Sequence, residues 1–66
     1  MKKNIEIGDL YEYKYGGMYQ LVIDVQEYDP PKNQKRIIVQ QVGGLYNGLQ
    51  TFYSEQSLRM RYNVVE

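Results

Sequence analysis

The sequence predicts a small all-β fold, a five-stranded antiparallel SH3-like barrel in a single domain over residues 1–66. Three observations predict it: short runs of β-branched and aromatic residues alternate with polar ones, glycine or proline pairs separate these runs, and good helix formers are scarce. Alanine is absent, whereas tyrosine occurs eight times. A closed barrel would also remove the exposed edges that leave a short β chain open to aggregation.

The stretch 8–25 predicts the hairpin around which the other elements are arranged. Tyrosine and aliphatic residues alternate with polar ones on both sides of Gly16-Gly17, a pair that accepts the positive φ angles of hairpin turns. A three-residue loop over 15–17 would set Tyr11 opposite Leu21, and Gly17 would be the bulge residue. The buried face would then hold Tyr11, Tyr13, Tyr19, Leu21 and Ile23.

Two segments flank this hairpin in the predicted order. Residues 5–7 predict a short leading strand that ends at a Gly8-Asp9 turn. Residues 29–34 contain two successive prolines, which fix φ and remove backbone donors, so they predict an exposed loop. Strand three follows over 35–42, and its centre is apolar on both faces, which is typical of a central strand.

The last third of the chain predicts two strands and one short turn. Gly43-Gly44 predicts a bulge or bend in strand three, and Asn47-Gly48 predicts a tight hairpin turn before strand four over 49–53. Residues 54–57 are polar and predict a single 3₁₀ turn. Residues 58–65 then alternate as strand five. An OB-type barrel is the alternative, but that fold usually carries a helix between its third and fourth strands.

One tyrosine-rich run carries a resemblance to known proteins: Gly8-x-x-Tyr11-x-Tyr13-x-x-Gly16-Gly17-x-Tyr19-x-x-Val22. It resembles a family of small uncharacterised bacterial domains, and it is similar to small SH3-like barrels of bacteriophage and prophage proteins. The resemblance covers about a quarter of the chain. It implies the barrel fold and an origin in a phage or another mobile element, and it implies no particular activity.

Composition argues against several classes of function. Histidine and cysteine are absent, which removes the usual transition-metal ligands and the usual proton shuttle at neutral pH, so we expect no catalytic residue, no metal site and no cofactor. Formal net charge is zero, so no strong field favours nucleic acid or membrane surfaces. No apolar run approaches the roughly 20 residues of a membrane span, and the first residues do not form a signal peptide.

The candidate binding residues are tyrosines and arginines. Four tyrosines fall at turns or strand ends, where rings suit a protein interface or base stacking: Tyr15, Tyr28, Tyr46 and Tyr53. The other four tyrosines, Tyr11, Tyr13, Tyr19 and Tyr62, share faces with aliphatic residues and are predicted to pack. Arg36 lies beside the proline loop, and Arg59 and Arg61 are predicted on the outer face of strand five. These three cations could form a basic patch or ordinary solvated faces.

The expected function is that of a non-enzymatic, cytoplasmic binding module, a protein-protein adaptor or inhibitor whose partner is a host or phage protein. The alternative is a barrel that binds single-stranded DNA or RNA through the four turn tyrosines and the arginines. Near-zero charge also leaves self-association open, so a homo-oligomer is a third alternative.

Overall fold

The computed structural model describes residues 4–27 and 35–65, which form one five-stranded antiparallel sheet and one short helix. The strands are β1 (Leu10–Tyr13), β2 (Tyr19–Glu27), β3 (Lys35–Val42), β4 (Gln50–Ser54) and β5 (Tyr62–Val64), and the helix is α1 (Glu55–Arg61). Their order across the sheet is β4-β3-β2-β1-β5. The mostly β class with five antiparallel strands is therefore confirmed. Pairing among the described strands ends at β4 and at β5, so a closed barrel ladder is not observed.

The β1–β2 hairpin has a different register from the predicted one. Tyr11 lies opposite Gln20, not opposite Leu21, and Tyr13 donates its backbone N–H to the Met18 carbonyl at 2.8 Å, which closes a four-residue loop over 14–17. Gly16 and Gly17 both take positive φ angles, which allows a loop of four residues in place of the predicted three. Because a slip of one residue exchanges the two faces, Gln20 is turned into the core.

The core lies on one side of the sheet, under α1 and the segment that precedes β1. Its buried apolar members are Ile5, Tyr11, Val22, Ile37, Val39, Leu58 and Tyr62. Packing of Tyr11 and Tyr62 was expected and is confirmed, and Tyr13 packs partly buried against this cluster. The expected packing of Tyr19 is wrong, since its side chain is exposed and its hydroxyl donates to Glu12 at 3.1 Å.

Strand β2 bends at a bulge between Val22 and Asp24. Val22 lies opposite Val39, and beyond the bulge Val25 lies opposite Ile37, so both halves of the strand direct valine toward the core. A bulge adds one unpaired residue and increases the local twist. The bulge therefore lets one long strand face the core along both of its halves.

Helix α1 replaces the predicted 3₁₀ turn and the first half of the predicted strand five. Ser54 caps it, because the Ser54 hydroxyl accepts the backbone N–H of Ser57 at 3.2 Å. Leu58 is buried whereas Met60 is exposed, and because residues two apart in a strand share a face, this difference fits the helix. The sequence of residues 58–61 is compatible with a strand or with one turn of helix, and the serine cap favours the helix.

The chain reverses between β3 and β4 through a wide loop. Strand β3 covers the predicted residues, but Asn47-Gly48 does not form a two-residue turn, since Gly48 and Leu49 both bond across to Gln41. Gly43-Gly44 starts this loop and does not bulge a strand. Residues 5–7 form no strand, although the turn at Gly8 is present with φ of +96°. Tyr28 and the predicted proline loop lie outside the described residues.

The sheet is rolled, because residues from its two edge strands touch. Tyr53 on β4 and Tyr62 on β5 have ring centroids 5.7 Å apart, and their hydroxyl oxygens are 3.4 Å apart. Four strand spacings in a flat sheet would separate those edges by roughly 19 Å. The two ends of the strand order therefore curve toward each other over the core, and α1 connects them.

Candidate protein-interaction surface

Exposed apolar side chains concentrate at one end of the sheet. Tyr19 at the start of β2 lies directly opposite Val42 at the end of β3, so the β1–β2 loop and the β3–β4 loop leave the sheet side by side. Six of the ten large exposed hydrophobic residues in the described chain lie there, and we call this region the turn end: Tyr15, Tyr19, Val42, Leu45, Tyr46 and Leu49. Apolar patches of this kind mark interaction sites.

The β3–β4 loop that carries half of these residues is fixed by its own hydrogen bonds. Asn47 accepts the Gly43 N–H on its Oδ1 at 2.7 Å and donates its backbone N–H to the Gly44 carbonyl at 3.3 Å. Leu49 donates its backbone N–H to the Tyr46 carbonyl at 2.9 Å. Leu45 is nevertheless 97% exposed. Ordering the backbone of this loop costs conformational entropy, although the loop buries none of its apolar side chains in return.

Four tyrosine rings form a continuous row that begins at the turn end. In order, the row consists of Tyr15, Tyr13, Tyr62 and Tyr53, and we call it the tyrosine row. Each neighbouring pair meets edge to face, with centroids 5.4, 5.4 and 5.7 Å apart. Tyr15 is 87% exposed, Tyr62 is buried and the other two are half-buried, so the row is deepest at Tyr62.

Polar atoms lie beneath the deepest part of this row. The Tyr62 hydroxyl donates to the Met18 sulfur at 3.7 Å, and Gln20 Nε2 donates to the same sulfur at 3.6 Å. Gln20 is 3% exposed, and its Oε1 accepts no hydrogen bond from the described part of the chain. Burial, and then the Tyr53 hydroxyl, raise the pKa of Tyr62, while Gln20 and the Arg61 charge offset part of this rise. The Tyr62 hydroxyl therefore keeps its proton to a higher pH than a free tyrosine does.

The three arginines named from the sequence have three different surroundings. The Arg36 guanidinium lies 4.6 Å from the centroid of the Phe52 ring, on the outer face of β3 and β4. Arg59 is in the last turn of α1 and pairs with Glu55 at 3.2 Å. Arg61 ends α1, and its carbonyl accepts the backbone N–H of Lys14 at 3.0 Å. The predicted placement of Arg59 and Arg61 on strand five is wrong, because both belong to the helix.

The structure joins some of the sequence-predicted residues and separates others. Tyr15 and Tyr53 mark the two ends of the tyrosine row, although Tyr53 is packed against the core and does not stand free at a strand end. Tyr46 belongs to the turn end. Sequence reasoning missed Leu45 and Leu49, yet large apolar residues placed between turn glycines were a readable signal.

No protein-family model matches this chain, and no curated protein or solved structure is significantly similar to it. Within residues 4–27 and 35–65, no cluster of three carboxylate, histidine or cysteine side chains could hold a metal ion. The helix in that part of the chain is too short and too polar to span a membrane.

Proposed function

We propose that this chain is a non-enzymatic protein-binding module of the cytoplasm, an adaptor or inhibitor that docks on its partner through the turn end. The observation that carries the proposal is the β3–β4 loop, which is ordered by hydrogen bonds yet presents Leu45 and Tyr46 to solvent. A rigid loop loses little conformational entropy on binding, and an exposed tyrosine is a frequent binding hot spot.

We also propose that the rolled sheet is an SH3-like barrel. The strand order supports this proposal, since the first strand pairs with both the second and the last. The ring contact between Tyr53 and Tyr62 supports it too, because it brings the two edge strands together without pairing them. Such a scaffold would hold the two loops of the turn end at a fixed separation.

The alternative, a single-strand nucleic-acid module, has weaker support. Stacking of bases needs exposed ring faces, and in the tyrosine row only Tyr15 is largely free. A backbone-tracking groove also needs cations along one surface, whereas Arg36 and Arg59 are engaged with Phe52 and Glu55. We therefore keep nucleic acid as the competing outcome of the experiment.

The test is affinity capture of the tagged chain from bacterial lysate, with one half treated with nuclease. We expect one protein to be enriched equally in both halves, and Tyr46→Ala to weaken its binding about tenfold, as for a hot-spot residue. Met60→Ala is the matched control, because Met60 is 66% exposed and Tyr46 is 65% exposed. Equal loss in both variants, or capture that depends on nucleic acid, would contradict the proposal.

A further inference from the structure

Strand β4 forms one edge of the sheet, and part of its backbone points away from the sheet. β4 pairs with β3 alone among the described strands. The Gln41 backbone N–H donates to the Leu49 carbonyl at 2.9 Å, so these two residues are a hydrogen-bonded pair of the ladder. Because such pairs alternate along antiparallel strands, Gln50 and Phe52 direct their backbone groups outward. Within residues 4–27 and 35–65 those groups form no hydrogen bond.

The β4 edge lacks the usual protection of an edge strand. Natural edges are blunted by charged residues, proline, bulges or short length. β4 consists of Gln-Thr-Phe-Tyr-Ser, without charge or proline, and its pairing with β3 contains no bulge. The other edge strand, β5, is only three residues long, and the Tyr62 backbone N–H already bonds to the Leu58 carbonyl. The unprotected edge is therefore that of β4.

Side chains on both faces leave the β4 edge accessible to another strand. On the outer face Phe52 is 58% exposed, and Gln50 and Ser54 are exposed as well. On the core side Thr51 is only half-buried, although Val39 opposite it is completely buried. Burial thus falls sharply from β3 to β4, as it does at an uncovered edge.

We infer that a second copy of this chain pairs antiparallel with the β4 edge, so that the two sheets join across a two-fold axis at Phe52. The outward N–H and C=O of Phe52 bond to the same groups of the second copy, and the two rings meet on the outer face. Gln50 lies opposite Ser54 of the second copy, and Thr51 lies opposite Tyr53 of the second copy. The contact does not require the loop residues of the turn end, so it goes beyond the proposed function.

The pattern of side chains makes β4 complementary to itself. Under the two-fold axis a ring faces a ring, uncharged polar groups face each other, and no charge opposes a like charge. Arg36 is in line with Ser54, and hence with Gln50 of the second copy, so the two arginines do not face each other. The chain has a formal net charge of zero, which removes general repulsion between copies. Because the pairing involves one short strand, we expect a weak, reversible dimer.

Sedimentation velocity over about a hundredfold range of concentration tests the inference. The original chain should shift from monomer to dimer as concentration rises. Phe52→Lys and Phe52→Glu should each associate at least about tenfold more weakly, because two like charges then lie directly opposite each other. An equimolar mixture of these two variants should recover the dimer, because lysine then faces glutamate. This recovery would also show that both variants are folded.

Met60→Lys is the matched control, because it replaces an apolar side chain that is 66% exposed and lies on α1 outside the β4 edge. It should associate like the original chain. Gln50→Pro keeps the Phe52 ring but removes an outward N–H, so it should also weaken the dimer. A monomer at every concentration, a dimer that survives Phe52→Lys, or a mixture that stays monomeric would overturn the inference. Tyr46-dependent capture of another protein is independent of each of these results.

Discussion

Gln20 shows how one residue can depart from the pattern that surrounds it. It sits in a strand whose inward positions are otherwise valine, and its amide is almost fully buried. A buried polar group with an unmade hydrogen bond costs stability, and here Oε1 accepts no hydrogen bond from the described chain. From the sequence, a glutamine flanked by Tyr19 and Leu21 is naturally assigned to the solvent face. That assignment caused the one-residue error in register.

Replacing Gln20 by methionine should therefore stabilise the fold. The side chains are similar in volume, and the buried carbonyl oxygen is removed, so we expect a gain of about 1 kcal/mol in the free energy of unfolding. Urea unfolding measures it as a higher midpoint at unchanged slope. The same change at the exposed Gln26 should stay within about 0.5 kcal/mol, and a loss of stability at Gln20 would contradict the role we assign to it.

Tyr62 gives the fold a dependence on alkaline pH. Its pKa in the folded state is raised above the ordinary value of 10.0, chiefly by burial and then by the Tyr53 hydroxyl. Above that ordinary value the unfolded chain loses the proton that the folded chain retains, so stability is fully present below pH 10 and falls as pH rises further. Tyr62→Phe should make this alkaline decline shallower in urea unfolding at several pH values. An unchanged decline would rule out Tyr62 as its source.

At the scale of single elements, α1 is the one that sequence reasoning missed. Leu58, Arg59, Met60 and Arg61 alternate as a strand would, and Ser54 and Ser57 fitted a short polar turn. What decides the outcome is tertiary: the helix buries Leu58 and leaves Met60 in solvent, which a strand would not do, and the Ser54 cap satisfies a backbone donor at the start of the helix. The serine cap can be read from the sequence, but the burial of Leu58 is not visible before the position of the core is known.

Alanine substitution in α1 separates the helix from the predicted strand. In a strand, residues 58 and 60 would share a face, whereas in α1 Leu58 is 0% exposed and Met60 points to solvent. We expect Leu58→Ala to cost about 2–4 kcal/mol and Met60→Ala less than about 0.5 kcal/mol in urea unfolding. Similar costs at both positions would favour the strand.

The strands and the site were predictable to different degrees. The bounds of β3 followed from its apolar centre, since an uninterrupted run of Ile37, Ile38 and Val39 fits few other structures. Glycine pairs located the turns but not their lengths, because two positive-φ residues permit several loops. Tyr15 and Tyr46 were predicted as binding residues, but their meeting at the turn end could not be predicted, since it depends on the pairing of Tyr19 with Val42.

At the scale of the whole molecule, the contact between Tyr53 and Tyr62 joins the two edge strands of the rolled sheet. A chain of 66 residues buries only about 60% of the surface that it exposes when unfolded, so its stability is small and each core contact weighs heavily. Tyr53 reaches inward to the core, while the neighbouring Phe52 faces outward and is exposed. These adjacent aromatic residues therefore form a matched pair for testing the roll.

We expect Tyr53→Ala to lower the free energy of unfolding by about 2–3 kcal/mol, because a large ring leaves the core. Tyr53→Phe should cost about 1 kcal/mol for the lost hydroxyl contact. Phe52→Ala should cost less than about 1 kcal/mol, since it removes an exposed ring and a cation–π contact with Arg36. Urea unfolding of the three variants gives the comparison, and an equal cost for the two alanine variants would mean that the roll does not depend on Tyr53.

The roll of the sheet also has a kinetic consequence. Tyr53 and Tyr62 come from strands at opposite edges, yet they lie only nine positions apart in the chain. The entropy lost on closing a loop grows slowly with its length, by about 0.6 kcal/mol per doubling, and short-range contacts favour fast folding. The contact between the two edge strands, which are farthest apart in the strand order, therefore joins residues that are close in sequence. We expect the curvature of this molecule to be established early, as soon as α1 forms.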